Sequence, residues 1–299
     1  MISEVVSLAN LLEKLVRLTR FIWQRRRHTP HSTSARFFML FEQHDVYRNQ
    51  IPRFFGQGLS LKDVQDEAAV LNKLDDATLD AACQCFGIRR EWLEGADAQI
   101  YPYHDFYKSP ETIERFLLDL KAANPNGQLS GVLLAPDGGC GHAVVVLQEL
   151  IGEIGTKGVY RYHLCNNWRF EYWRSRTYLT ALIAIAWKNN VHIRGITLPA
   201  KKINAIAEGA CFIGPSSRNL TRRKGPLWSP EDMAIQPDAY LHGINREDQN
   251  YGHCAALKLW LTLENEGFMA TAISSQPPSL VRQKFEAALE QYTCESYPQ

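Results

Sequence analysis

Most of the short signatures that announce a chemistry are missing from this sequence. Its seven cysteines include no CxxC pair and its nine histidines no HExxH pattern, so no metal ligand set is read and no cofactor is expected. No glycine-rich stretch carries the Lys and Ser/Thr of a phosphate-binding loop, and no two carboxylates stand out as a general acid and base. An excess of one charge is missing too. The 33 basic and 32 acidic residues leave +1, which removes any global attraction to nucleic acid and requires a basic footprint to be local. The odd, scattered cysteines point to reduced thiols in a cytoplasmic protein. The apolar stretch at residues 2–23 is broken by Glu4, Glu13, Lys14, Arg17 and Arg20, which excludes a membrane span, and it lacks a signal peptide's small-residue cleavage site.

What is present suffices for about two domains, with 45% hydrophobic residues over 299 positions. Residues 2–23 form an amphipathic helix with Val5, Leu8, Leu12, Leu15 and Ile22 on one seam, suited to packing on its own domain, to a homodimer or to lying at a membrane interface. Arg25, Arg26 and Arg27 follow as a basic arm, completing a first segment, 1–27. The densest agreement of local signals comes later, at Asp75 to Gly95. An aspartate cap, apolar Leu79, Ala82, Cys83 and Phe86 at helical spacing, and a stop at Gly87 make one helix. A short second helix carries Trp92 and Leu93 inward and ends at Gly95.

That pair resembles the last two helices of the Cro/C1-type (XRE-like) helix-turn-helix family, and the resemblance extends over residues 36–96. Phe37 to Gln43 then matches the first helix, Asn49 to Phe55 the second and Leu59 to Gln65 the recognition helix, with Phe38, Leu40, Phe41, Val46, Ile51, Phe55, Leu61 and Val64 as its apolar positions. Pro52 fits only if the second helix begins near Gln50, which places it in the first turn. Gln57 and Gly58 lengthen the turn, and Asp63 sits among residues that would face phosphates. The resemblance implies double-stranded DNA as partner. Ser60, Lys62 and Gln65 would reach base edges, and Arg48, Gln50 and Arg53 would touch the backbone.

After an aromatic connector at Ala96 to Lys108, a Ser-Pro start opens a helix ended by Asn-Pro-Asn-Gly at 124–127. The pattern then becomes extended: Gly131 to Ala135, His142 to Glu153 and Val159 to Trp173 form an antiparallel meander, and Val191 to Leu198 is a fourth strand. Helices over Ser175 to Lys188 and Lys201 to Glu208 cover one sheet face, giving an α+β domain at 109–212, and 213–299 adds a basic loop and C-terminal helices. The fold class is therefore α+β with an all-α N-terminal domain.

Two stretches carry chemistry. Asp137-Gly-Gly-Cys-Gly-His142 sets a thiol among exposed amides beside a histidine, the pattern of a nucleophile, but also that of a plain hairpin turn; no catalytic residue is assigned from it. The run Tyr160 to Arg176 interleaves aromatics with cations, and Arg161, His163 and Arg169 are the candidates for a ligand or partner surface, unless the run is a solvated outer face over a packed inner one. The reading is a DNA-binding transcriptional regulator whose C-terminal domain senses a small-molecule or protein effector. The alternatives are an enzyme acting on nucleic acid or a small anion, and a non-catalytic interaction module with a degenerate helix-turn-helix.

Overall fold

A computed structural model describes residues 32–214, 227–245, 252–269 and 277–294; the seam at 2–23, the arginines after it and the basic loop at 218–224 lie outside the described residues. The first element, α1 (Thr33–Gln43), is capped by the Ser32 hydroxyl, which accepts from the Ala35 amide at 3.1 Å. A 3-10 turn (Arg48–Gln50) leads into α2 (Ile51–Phe54), with Pro52 in the first turn, where its missing N–H has no partner to lose. Then come α3 (Glu67–Leu71), α4 (Asp76–Phe86) and α5 (Arg90–Glu94). Asp75 caps α4 and Gly87 stops it at φ 66°, in the left-handed region a side chain disfavours.

The remainder is built on strands β1 (Tyr103–Asp105), β2 (Leu129–Pro136), β3 (His142–Ile154), β4 (Lys157–Arg169) and β5 (Ile193–Leu198). Helix α6 (Pro110–Ala123) precedes β2, α7 (Trp173–Lys188) joins β4 to β5, and α8 (Ala200–Ala207) follows. The C-terminal helices are α9 (Asp232–Ile235), α10 (Pro237–Leu241), α11 (Gly252–Asn265) and α12 (Pro278–Cys294). The fold is α+β, around a five-stranded sheet in the order β1-β4-β3-β2-β5. β2, β3 and β4 form the antiparallel meander, whereas the edges β1 and β5 run parallel to their neighbours, so the sheet is mixed. β1 occupies what the sequence offers as connector; three residues are too few to show a period. Beyond β5, Trp228 exchanges backbone hydrogen bonds with Gly195 and lies where a Cβ on that glycine would stand, at 2.3 Å, so it covers the open edge only because residue 195 is glycine.

Helices cover both faces of the sheet, not one. Val132, Leu134, Val144, Val146, Ile196 and Leu198 point into a core shared with α1, α4, α5 and α8. Their neighbours Leu133, Ala135, Val145 and Leu147 point into a second core with α6, α7 and the C-terminal helices. The uninterrupted apolar run Ala143-Val-Val-Val-Leu147 is the consequence, since a strand buried on both sides cannot alternate with polar residues. The helices of residues 36–96 thus belong to a core that contains one face of the sheet; Phe41, Phe86, Tyr162 and Val144 lie in it together.

His44 stands at the middle of that core, 2% exposed, with its ring centroid 4.3 Å from Phe86. Its Nδ1 lies 2.7 Å from the Leu40 carbonyl, which can only accept, so Nε2 is the acceptor for the Tyr101 hydroxyl at 3.3 Å and the ring is neutral. Burial pushes its pKa down to about 4 from an ordinary 6.5. Between those values the unfolded chain binds the extra proton, so stability is complete above pH 6.5 and falls as pH drops towards 4. Replacement by phenylalanine is expected to flatten urea-derived stability over this range, by up to ~3 kcal/mol at its acid end. His104, lowered to about 4 by burial and by the neighbouring His163, retains part of the slope. Equal slopes in wild type and His44→Phe would show that His44 is not the titrating group.

Candidate ligand and nucleic-acid interfaces

The expected recognition helix is not formed. Residues 61–66 are turns, Leu61 is 56% exposed rather than buried, and only Val64 points inward, at 1%. Two causes are visible. Gly56, Gln57 and Gly58 all take positive φ, which stretches the approach. Asp63 then accepts both the Ser60 amide at 2.8 Å and its hydroxyl at 2.6 Å, a local turn that competes with helix.

The six candidate DNA contacts separate accordingly. Arg48 pairs with Glu42 at 3.0 Å and lies over the Phe38 ring at 4.2 Å. The Gln50 side chain accepts from the Tyr47 amide, Ser60 is held by Asp63, and Gln65 donates to the Leu61 carbonyl at 2.9 Å. Arg53 and Lys62 are exposed and, among the described residues, have no partner. The cations of α5 are engaged as well: Arg89 pairs with Asp97, and Arg90 with Asp76, Asp80 and Glu94.

Of the three candidates on the sheet, two converge and one does not. Glu149, 3% exposed, accepts from His163 Nε2 at 2.8 Å, from Arg161 at 3.4 Å and from Asn124 at 3.1 Å. Arg161 also donates its Nε–H to the Cys85 carbonyl in the last turn of α4, at 2.9 Å. Burial would raise the Glu149 pKa, but the His163 hydrogen bond and the Arg161 charge more than offset it and hold it below the usual carboxylate range. Arg161 and His163 are therefore structural here, not an open ligand surface. Arg169, 60% exposed at the other end of β4, pairs with Glu171.

At that end lies the glycine turn. Gly139 and Gly141 take φ of 70° and 125°, Gly141 donates its amide to Glu171 at 2.8 Å, and Cys140 and His142 are exposed with no hydrogen bond between them. Among the described residues no hydrogen bond joins the Cys140 thiol to a base. Beside the turn, where the carboxyl ends of the parallel neighbours β2 and β5 open together, is a cavity of about 400 Å³. Phe170, Trp228 and Met233 line it with Thr197, Ser229 and Asp232. Its wall includes Arg176, which is 1% exposed, lies 3.5 Å over the Phe170 ring and donates to the carbonyls of Phe170, Tyr240 and His242. Burial pushes the Arg176 pKa down to about 9. The inward direction of Arg176 is legible in its spacing from the buried Trp173 and Thr180.

Removing Glu149 would leave a partly exposed guanidinium and a largely buried imidazole without their acceptor. Glu149→Ala is expected to cost ~3 kcal/mol and Arg161→Met, a quarter exposed, ~1 to 2 kcal/mol, by urea denaturation at pH 7. The double mutant should cost less than the sum; strict additivity would mean the two groups do not act on each other. Because the folded pKa of Glu149 is depressed, its contribution is present above the ordinary carboxylate pKa and lost as pH falls through the lower folded one. No family model, curated protein or solved structure matches the chain, so a functional reading rests on this geometry.

Proposed function

We propose that the chain is a regulator whose α+β body takes a small effector and whose N-terminal helices carry the response, as a homodimer, to double-stranded DNA. The observation that carries this reading is the Arg161 bridge. One guanidinium joins the end of α4 to the buried carboxylate of β3, so a ligand that shifts the sheet also shifts the helices. The cavity at the ends of β2 and β5, with an apolar wall and a few polar groups, has the makeup of a small-molecule site. The DNA half of the proposal rests on Arg53 and Lys62, exposed cations without a partner among the described residues. With turns in place of a recognition helix, the contact is to phosphates and its sequence preference is weak. A catalytic role for Cys140 has less support, because among the described residues its thiol has no imidazole partner.

The test is duplex binding by the full chain over a range of salt. Arg53→Ala and Lys62→Ala are each expected to weaken binding alike on all sequences and to lower the salt slope by about one unit. A full chain that binds no duplex at low salt would overturn the DNA half and leave this face to protein contacts.

A further inference from the structure

The carbonyl-bonded Arg176 is a satisfied group, but another side chain of α7 is not. Trp173, the first residue of that helix, is 8% exposed, and its indole N–H is buried with no acceptor among the described residues. That nitrogen is sealed from solvent, so an occupant of a neighbouring cleft meets the indole ring and not its N–H. The indole lines a cleft of about 550 Å³ between α7 and α11, within the range that holds a small molecule.

Three cations share that cleft: Lys108, Arg174 and Lys258. None has an ion pair among the described residues, and no carboxylate lines the cleft; Glu111 and Glu266 act on the Tyr178 hydroxyl from outside it. The cations come with aromatic faces. The Arg174 guanidinium lies 4.8 Å from the Trp173 ring centroid and the Lys108 ammonium 5.1 Å from that of Tyr107, which meets Tyr178 edge-on at 5.8 Å. Lys108 holds a left-handed backbone, φ 65°, a conformation lysine seldom adopts. Leu259 and Ala255 of α11 complete an apolar wall.

We infer that this cleft binds a small organic phosphate carrying a planar ring, the chemistry of a mononucleotide. The phosphate lies among Lys108, Arg174 and Lys258 beside the Trp173 ring, while the planar ring packs on Tyr178, Leu259 and Ala255. The site is separate from the cavity at the strand ends and holds whether or not the chain contacts DNA.

Titration of protein labelled with nitrogen-15 at its indoles tests it, the Trp173 resonance being identified by its loss in Trp173→Phe. Adenosine 5′-monophosphate is expected to move that resonance at sub-millimolar concentration. Adenosine should not move it, and inorganic phosphate should do so only at concentrations at least tenfold higher. Arg174→Gln and Lys258→Gln, both outside the cores, should each raise the nucleotide midpoint tenfold or so while leaving the other indole resonances in place. An unmoved Trp173 resonance, an equal response to adenosine, or midpoints unchanged by both substitutions would overturn the site. Equal midpoints for nucleotide and inorganic phosphate would overturn the ring, and tighter binding of a single-stranded oligonucleotide would make the cleft a strand groove instead.

Discussion

The arrangement depends on keeping one carboxylate, that of Glu149, ionised inside the protein. An ion of this size loses several kcal/mol on leaving water unless donors replace the lost solvent, and here the donors come from two places in the chain. Asn124 supplies one from the end of α6, and Arg161 and His163 supply two from β4. Asn124 reaches Glu149, and also the Leu150 carbonyl, because Gly127 leaves room: a Cβ there would fall 2.1 Å from its amide nitrogen. A requirement for charge compensation therefore sets how α6 ends, how β3 and β4 pair, and, through the Arg161 bond to Cys85, where α4 is seated.

Because that seat lies on the sheet, the helices of residues 36–96 and the strands bury one another. Phe41 and Phe86, edge to face at 5.0 Å, pack over the same side of the sheet as Tyr162 and Leu164. The opposite side is filled by α7 and the C-terminal helices, with Trp260 and Phe285 stacked at 3.6 Å. A sheet covered on both faces has little apolar surface left for a ligand except at its rims, and the cavity beside the glycine turn lies at one of them.

How much of this was legible follows from the range of the interactions involved. α4 and α5 are encoded locally, by Asp75, Gly87 and Gly95 and an apolar face, and they form as the sequence implies. The meander is encoded by apolar, β-branched runs separated by glycine turns. What escaped needed partners distant in sequence: β1 exists only because Tyr103 to Asp105 meets Leu164 to Asn166, and Arg161 and His163 looked like an open polar face because Glu149 is twelve and fourteen residues away. The missing recognition helix is a different kind of failure. Leu61 and Val64 have helical spacing, but Asp63 satisfies the Ser60 amide more cheaply through its own side chain, and a periodicity of two apolar residues is too weak to oppose it.

With a net charge of +1, attraction for an anion cannot come from the molecule as a whole; it must come from cations that the protein has not already neutralised. Most of the candidates have been. Arg48, Arg89, Arg90 and Arg169 face carboxylates, and Arg161 is committed to Glu149. Among the described residues the exceptions include Arg53 and Lys62 on the helical side, and Lys108, Arg174 and Lys258, which share the cleft lined by the Trp173 ring. The first group is fully solvated, so salt screens it and its contact with an anion is weak and general. The second shares its cleft with apolar and aromatic side chains, where charge is screened less and a ligand's shape is felt. Selectivity for a small anion is therefore a property of the cleft, and any hold on a polyanion is a property of the solvated helical side.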